Sequence, residues 1–178
     1  MTYKIMIVDD EPANLRVLER LFRPDRQVVT APSGAEALVL LEQHDIALLI
    51  SDQRMPAMTG IELMTKTVAI RPQMVKILLT GYTDVGSLIE ALNSGLVYRY
   101  LTKPWNNDDL RLTVSRALEH YEVMKSKYLL GMENQRLRDR LQEISALALM
   151  VLNQGSAAAE KKVSELSSAE PEVYELLG

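Results

Sequence analysis

Asp9 and Asp10, Asp52, Thr80 and Lys103 occupy one recurring place in this sequence. Each ends or closely follows a short apolar run: Lys4–Val8, Ile46–Ser51, Val75–Thr80 and Val97–Thr102. If these runs are parallel strands, their carboxyl ends share one edge, where three carboxylates, a hydroxyl and an ammonium converge. Packed carboxylates repel one another, so they need a cation or must take up protons. The chain has no cysteine, and its two histidines, His44 and His120, fall within predicted helices, so the available ligands are hard oxygens. Such a site, with few carboxylates and open positions, suits Mg²⁺, which keeps waters and accepts phosphoryl oxygens. Lys103 adds a second positive charge. A carboxylate beside a divalent cation and a lysine is equipped to take a phosphoryl group by in-line attack, the two cations neutralising the transferring oxygens.

Taken singly, each residue has a plainer role. Asp10 could cap a helix starting near Pro12. Asp52 could be a turn residue before Arg54-Met55-Pro56. Thr80 could simply close a strand, and Lys103 could be a solvated lysine. Joint placement at four strand ends is what favours chemistry.

The elements that must position these residues follow from pattern. Gln27–Thr30 joins the four runs above as a fifth strand, and their Ile, Val, Leu and Tyr content suits strands buried on both faces. Helical spacing fills the intervals: Pro12–Phe22, Gly34–Gln43, Ile61–Ala69, Asp84–Ser94 and Asn107–Tyr121. Five βα units in about 120 residues predict an α/β fold, a flavodoxin-like doubly wound parallel sheet of order 2-1-3-4-5, with function at the strands' carboxyl ends.

Beyond Asn107 the helical pattern need not stop, because no proline occurs between Pro104 and Pro171. Leu110, Val114, Ala117, Tyr121, Met124 and Tyr128 recur at alternating four- and three-residue steps. Asn134, Leu137, Leu141, Ile144, Ala148 and Val151 do so in a second register, the phase breaking near Gly131. Each reads as a heptad seam, with Asn134 at an a position and Glu133 complementary to Arg138 across a parallel homodimer. The alternative is an amphipathic helix folded on its own domain. The expected organisation is a domain over 1–122, a helical coiled-coil connector over 123–152, and a linker or short helix over 153–178.

Composition closes off other classes. The 178 residues carry 24 acidic and 20 basic side chains, a net charge of −4, which gives no support to direct nucleic-acid binding. The absence of cysteine excludes disulfide scaffolds and thiol nucleophiles and fits a reducing compartment. The N-terminal apolar run is too short for a signal peptide, and no apolar stretch reaches the roughly 18 residues of a membrane span. A cytoplasmic protein is expected.

Ile-Met-Ile-Val-Asp-Asp-Glu-Pro at 5–12, Ser-Asp-Gln-Arg-Met-Pro-Ala-Met-Thr-Gly at 51–60, Leu-Leu-Thr-Gly at 78–81 and Tyr-Leu-Thr-Lys-Pro-Trp at 100–105 resemble the receiver (CheY-like) domain of two-component response regulators. The resemblance covers about residues 1–122. It implies that Asp52 accepts a phosphoryl group from a histidine kinase or phosphotransfer protein. It implies that Asp10 and Asp52 bind Mg²⁺ directly, Asp9 acts largely through water, and Arg54 offers its backbone carbonyl. Lys103 would pair with the phosphoryl group, with a cis Lys103–Pro104 bond. Thr80 would hydrogen-bond a phosphoryl oxygen while Tyr100 swings inward, remodelling the fourth helix, fifth strand and fifth helix for a partner. Arg54 and Thr83 would tune the lifetime of the acyl phosphate. Such a chain is a self-dephosphorylating switch rather than an enzyme.

Two other classes fit less well. An aspartyl phosphatase of the haloacid-dehalogenase type wants a second Asp where Arg54 stands. A dinucleotide or flavin binder wants a glycine-rich loop where Asp9-Asp10-Glu11-Pro12 stands. Gly81-Tyr82, Val97-Tyr98-Arg99-Tyr100 and Lys103-Pro104-Trp105 resemble receivers that precede HD-GYP phosphodiesterases, protein phosphatases or enhancer-binding activators. The chain is therefore expected either to be a fragment lacking its effector or to be an effector-less receiver acting through its C-terminal helix.

Overall fold

The structure, a computed structural model, describes residues 3–81 and 85–168. Thr83, Asp84 as the start of the fourth helix, and the linker residues 169–178 lie outside the described residues. Contacts divide the chain into two units, Met1–Lys127 and Tyr128–Gly178.

In the first unit, five parallel strands form one sheet: β1 (Lys4–Val8), β2 (Gln27–Ala31), β3 (Ile46–Asp52), β4 (Val75–Thr80) and β5 (Arg99–Thr102). Their order is β2-β1-β3-β4-β5, as the sequence predicted. The crossovers are α1 (Pro12–Phe22), α2 (Gly34–Gln43), α3 (Gly60–Ile70) and α4 (Val85–Asn93), and α5 (Asn107–Ser168) follows β5. Parallel neighbours need such crossovers, and side chains alternating along each strand supply both faces. Ile5, Ile7, Leu48, Ile50, Ile77 and Leu79 face one core, closed by Leu18 and Phe22 of α1 and by Leu110, Val114 and Ala117 of α5. Met6, Val8, Leu49 and Leu78 face the other, closed by Ala37, Leu41, Leu63, Met64 and Ala91. All seven residues of β3 are buried, so the strand carrying Asp52 is covered on both sides.

Two expectations need correction. β5 begins at Arg99 rather than Val97, because the Val97 amide is taken by the Ala91 carbonyl in the turn that leaves α4 through Gly95, whose φ is 72°. More consequentially, the first heptad seam is not one. Leu110, Val114, Ala117 and Tyr121 are buried in the sheet's own core, while Met124 and Tyr128 are exposed. Four-and-three spacing marks any helix with one apolar face, whether that face meets a sheet or a second helix. There the amphipathic-helix alternative holds.

The described residues of the second unit continue α5. The helix runs through Gly131, Asn153 and Gly155 to Ser168, where the sequence suggested a linker or a separate short helix. Surrounding Ala, Leu, Glu and Lys are good helix formers, and an isolated Gly costs only about 1 kcal/mol. Leu137, Leu141 and Ile144 are 51%, 63% and 61% exposed.

Candidate functional site

Asp9 lies just beyond β1 with its side chain fully enclosed. Its Oδ1 accepts the Glu11 amide at 2.9 Å, and Asn14 Nδ2 donates to both carboxylate oxygens at 3.1 Å. Lys103 Nζ donates to its Oδ2 at 3.0 Å. Neither Asp9 nor Asp10 caps α1: the N-cap is Glu11, without a side-chain cap, and Pro12 supplies a first-turn residue that needs no donor partner. Asp10 is half-buried, and its carboxylate has no hydrogen-bond partner among the described residues.

Asp52 ends β3 and is 7% exposed. The chain leaving it is tied back tightly. The Gln53 amide donates to the Leu79 carbonyl at 2.9 Å, the Gly60 amide to the Gln53 carbonyl at 3.0 Å, and the Ile61 amide to Gln53 Oε1 at 3.2 Å. Between these ties, Ala57 takes a φ of 65°, and a capping box between Thr59 and Glu62 starts α3. Gly60 is needed for closeness rather than for its φ. A Cβ there would strike the Asp52 carbonyl oxygen and come within 2.7 Å of Leu78 Cδ1. Gly60→Ala is expected to cost about 2 kcal/mol in a urea melt, despite the better helix propensity of alanine, because a strand backbone does not yield. An unchanged midpoint would show that this packing is slack.

Lys103 follows β5, its amide donating to the Thr80 carbonyl at 2.8 Å. The Lys103–Pro104 bond is cis, as the resemblance implied. Beyond it, Asn106 Oδ1 accepts the Asp108 and Asp109 amides and so starts α5. Lys103 Nζ lies 2.8 Å from Asp52 Oδ1 and 3.0 Å from Asp9 Oδ2, bridging two carboxylates from neighbouring strands. Burial pushes the Asp52 carboxyl above its ordinary range, and the Asp9 charge adds to this, while the Lys103 hydrogen bond and charge oppose it. Burial alone would lower the Lys103 ammonium, but its hydrogen bonds to Asp52 and Asp9 and their charges hold it above its ordinary value.

Oxygens of Asp9, Asp10 and Asp52 all lie within 4.8 Å of one another. Thr80 is buried at the end of β4, with its hydroxyl donating to the Gly81 carbonyl at 2.9 Å. Tyr100 is 40% exposed, and Arg54 has an exposed side chain on the loop two residues after Asp52. The structure thus brings together Asp9, Asp10, Asp52 and Lys103, while the side chains of Thr80 and Tyr100 make no hydrogen bond to them. Sequence reasoning missed Asn14, Gln53 and Gly60. Asn14 and Gln53 are polar residues within a few positions of the strand ends, a weak signal that was available.

A family model, the response regulator receiver domain, matches residues 5–115. The chain belongs to this family. The hydrogenase transcriptional regulatory protein HoxA of Cupriavidus necator is 33% identical over 129 residues, 72% of this chain and 27% of that protein. The transcriptional regulatory protein GlrR of Escherichia coli K12 is 34% identical over 163 residues, 91% of this chain and 35% of that protein, a match long enough to enter the second unit. The chain therefore spans about a quarter to a third of the length of these curated relatives. Among solved structures, an adenylate cyclase from Rhodopirellula baltica aligns with a TM-score of 0.71 at 34% identity, covering 73% of this chain and 97% of that one. The signal receiver domain of an HD domain-containing protein from Pseudomonas fluorescens Pf-5 aligns at 0.66 and 34%, covering 69% and 99%. Receiver domains bind Mg²⁺ through an acidic pocket, and this chain's acidic cluster is Asp9, Asp10 and Asp52. No helix among the described residues is long and apolar enough to cross a membrane.

Proposed function

We propose that this receiver takes a phosphoryl group onto Asp52 from the phosphohistidine of a kinase or phosphotransfer protein, in a Mg²⁺-dependent reaction. The observation that carries the reading is the Lys103 ammonium bridging Asp9 and Asp52 beside a third carboxylate. The donor set fits a hard cation. Asp9 already spends its oxygens on Glu11, Asn14 and Lys103, whereas Asp10 and Asp52 Oδ2 keep open lone pairs. Asp10 and Asp52 would hold Mg²⁺ directly, with the Arg54 carbonyl completing the protein ligands and Asp9 acting through water. The ion would neutralise charge on the transferring oxygens.

In the transfer, an Asp52 oxygen forms a bond to phosphorus as the phosphorus–nitrogen bond of the phosphohistidine breaks. Lys103 shifts from Asp52 to the new oxygens, keeping its tie to Asp9. Thr80 exchanges the Gly81 carbonyl for a phosphoryl oxygen, and Tyr100 moves inward into the space released. The face of α4, β5 and α5 then changes, shifting a pre-existing equilibrium by the differential affinity of its two states. Residues 1–122 act as the switch. Residues 123–152 act as a connector that pairs in parallel with a second copy and relays the change to a C-terminal effector. The names of the relatives, two of them transcriptional regulators and one a receiver of an HD domain-containing protein, support an effector of that kind.

The test is incubation with acetyl phosphate and Mg²⁺, followed by intact-mass and peptide mapping under conditions that preserve acyl phosphates. One phosphoryl group on Asp52, absent in Asp52→Asn and without Mg²⁺, is the expected result. Steady release of phosphate with no accumulated adduct would favour an aspartyl phosphatase, and no reaction would overturn both.

A further inference from the structure

Lys76, on β4 at the end of the sheet opposite Asp52, is 5% exposed, an unusual place for a lysine. Its ammonium donates to the Met74 carbonyl at 2.9 Å, and no carboxylate of the described residues lies within ion-pair distance. Burial lowers its pKa, as expected for a charge without a counter-ion. An ammonium carries three donors, so two remain beyond the one on Met74.

Lys76 is also among the residues that line a cleft of about 690 Å³ between α3 and α4, within the size range of small-molecule sites. Ile61 and Val68 of α3 face Ala91 of α4 and Leu96 across it. Thr65 and Ser94 also line it, but their hydroxyls donate to the carbonyl of Ile61 within α3 and to that of Ala91 near the end of α4. Lys76 is therefore the one described side chain of the cleft with proton donors to spare. Glu90, exposed, places a single negative charge on the same lining and disfavours dianions.

We propose that the α3–α4 cleft binds a small aliphatic monocarboxylate, its carboxylate paired with Lys76 and its hydrocarbon body between the two helices. The carboxylate supplies the counter-ion the fold withholds, and the apolar walls take up the chain. Because the cleft shares no residue with the Asp52 pocket, Asp52→Asn retains the site, and the proposal stands apart from phosphorylation.

The test is methyl NMR of the full chain titrated with isocaproate, and separately with the alcohol and the amine of the same carbon skeleton. Saturable shifts of the Ile61, Val68, Ala91 and Leu96 methyls are expected with isocaproate. Binding at least about tenfold weaker is expected for the alcohol and for Lys76→Met, the loss of a charge-assisted hydrogen bond. Val68→Phe, at a half-exposed position of the wall, narrows the cleft and leaves Lys76 in place, and should weaken the shifts at least about tenfold. Should Lys76→Met not fold, the alcohol comparison and Val68→Phe decide. Absent or non-saturating shifts overturn the site. So does an alcohol or amine that binds as tightly, or a Lys76→Met variant that binds unchanged.

Discussion

Lys103→Met is expected to lower stability by about 3 kcal/mol near neutral pH and to slow phosphoryl uptake on Asp52 by about 10²-fold or more. The stability loss follows from what remains. Asp9 is fully enclosed and Asp52 nearly so, and among the described residues Lys103 is the cation within ion-pair distance of both. Removing it leaves two close carboxylates that share no counter-ion among the described residues, where Asp9 keeps the neutral donors of Glu11 and Asn14. Methionine fills the lysine's volume, so the loss is not one of packing.

The pH dependence has a definite sign. Asp52 already titrates above its ordinary range, and without the Lys103 hydrogen bond and charge it rises further. A group whose folded pKa exceeds its unfolded value binds more protons when folded, so stability falls as pH rises through that range. The deficit of Lys103→Met should therefore shrink as the pH falls toward about 4, through the range in which Asp52 takes up its proton. Added Mg²⁺ should raise the variant's melting temperature more than the parent's, because the cluster now lacks its internal cation. Thermal melts at acid and neutral pH, with and without Mg²⁺, check all three statements. A variant that melts like the parent and is phosphorylated as fast would remove Lys103 from the proposed site.

The convergence of Asp9, Asp10, Asp52 and Lys103 was legible because it depends only on strand ends. Once five apolar runs alternate with helices, a parallel sheet aligns those ends, and nothing about side-chain packing need be known. The sequence did not show that Lys103 would bridge Asp9 and Asp52, since a lysine after a strand reads the same whether solvated or paired. Gly60 was hidden for a similar reason: its need arises from the backbone of Asp52, eight positions earlier, coming within a methyl group's reach. Lys76 was hidden more deeply, inside a run otherwise apolar, where a single charge looks like the polar side of a strand. The misassigned stretch from Leu110 to Tyr121 shows the limit of periodicity. It reports that a helix has one apolar face and does not report what covers it.

For the second register the same ambiguity can be resolved by mutation, and Ile144→Asp is expected to convert a dimer to a monomer. Leu137, Leu141 and Ile144 are more than half exposed in the single chain, as are Leu147, Leu149, Met150 and Leu152. Exposed apolar side chains in such number along one helix mark an interaction surface, which the parallel pairing proposed above would cover. With Asn134 at a, the other polar residues from Glu133 to Ser145 fall outside the seam. Gln135 and Asp139, at b and f, hydrogen-bond each other at 2.9 Å, four residues apart on the exposed face. From Leu147 to Leu152 apolar residues occupy b, c, e and g as well, so only the segment from Glu133 to Ala146 has the polar flanks that define a two-stranded register. In a symmetric dimer Ile144 counts twice. Losing two buried side chains at about 1.5 kcal/mol or more each weakens association over 100-fold, before the cost of burying two carboxylates. Sedimentation equilibrium of parent and variant, each with and without beryllofluoride, reads this directly. The receiver unit should still be modified at Asp52, since Ile144 lies outside it. A parent that stays monomeric at high concentration in both states would remove the dimer. A dimer that survives Ile144→Asp but is broken at Leu149 would place the contact on the other face of the helix.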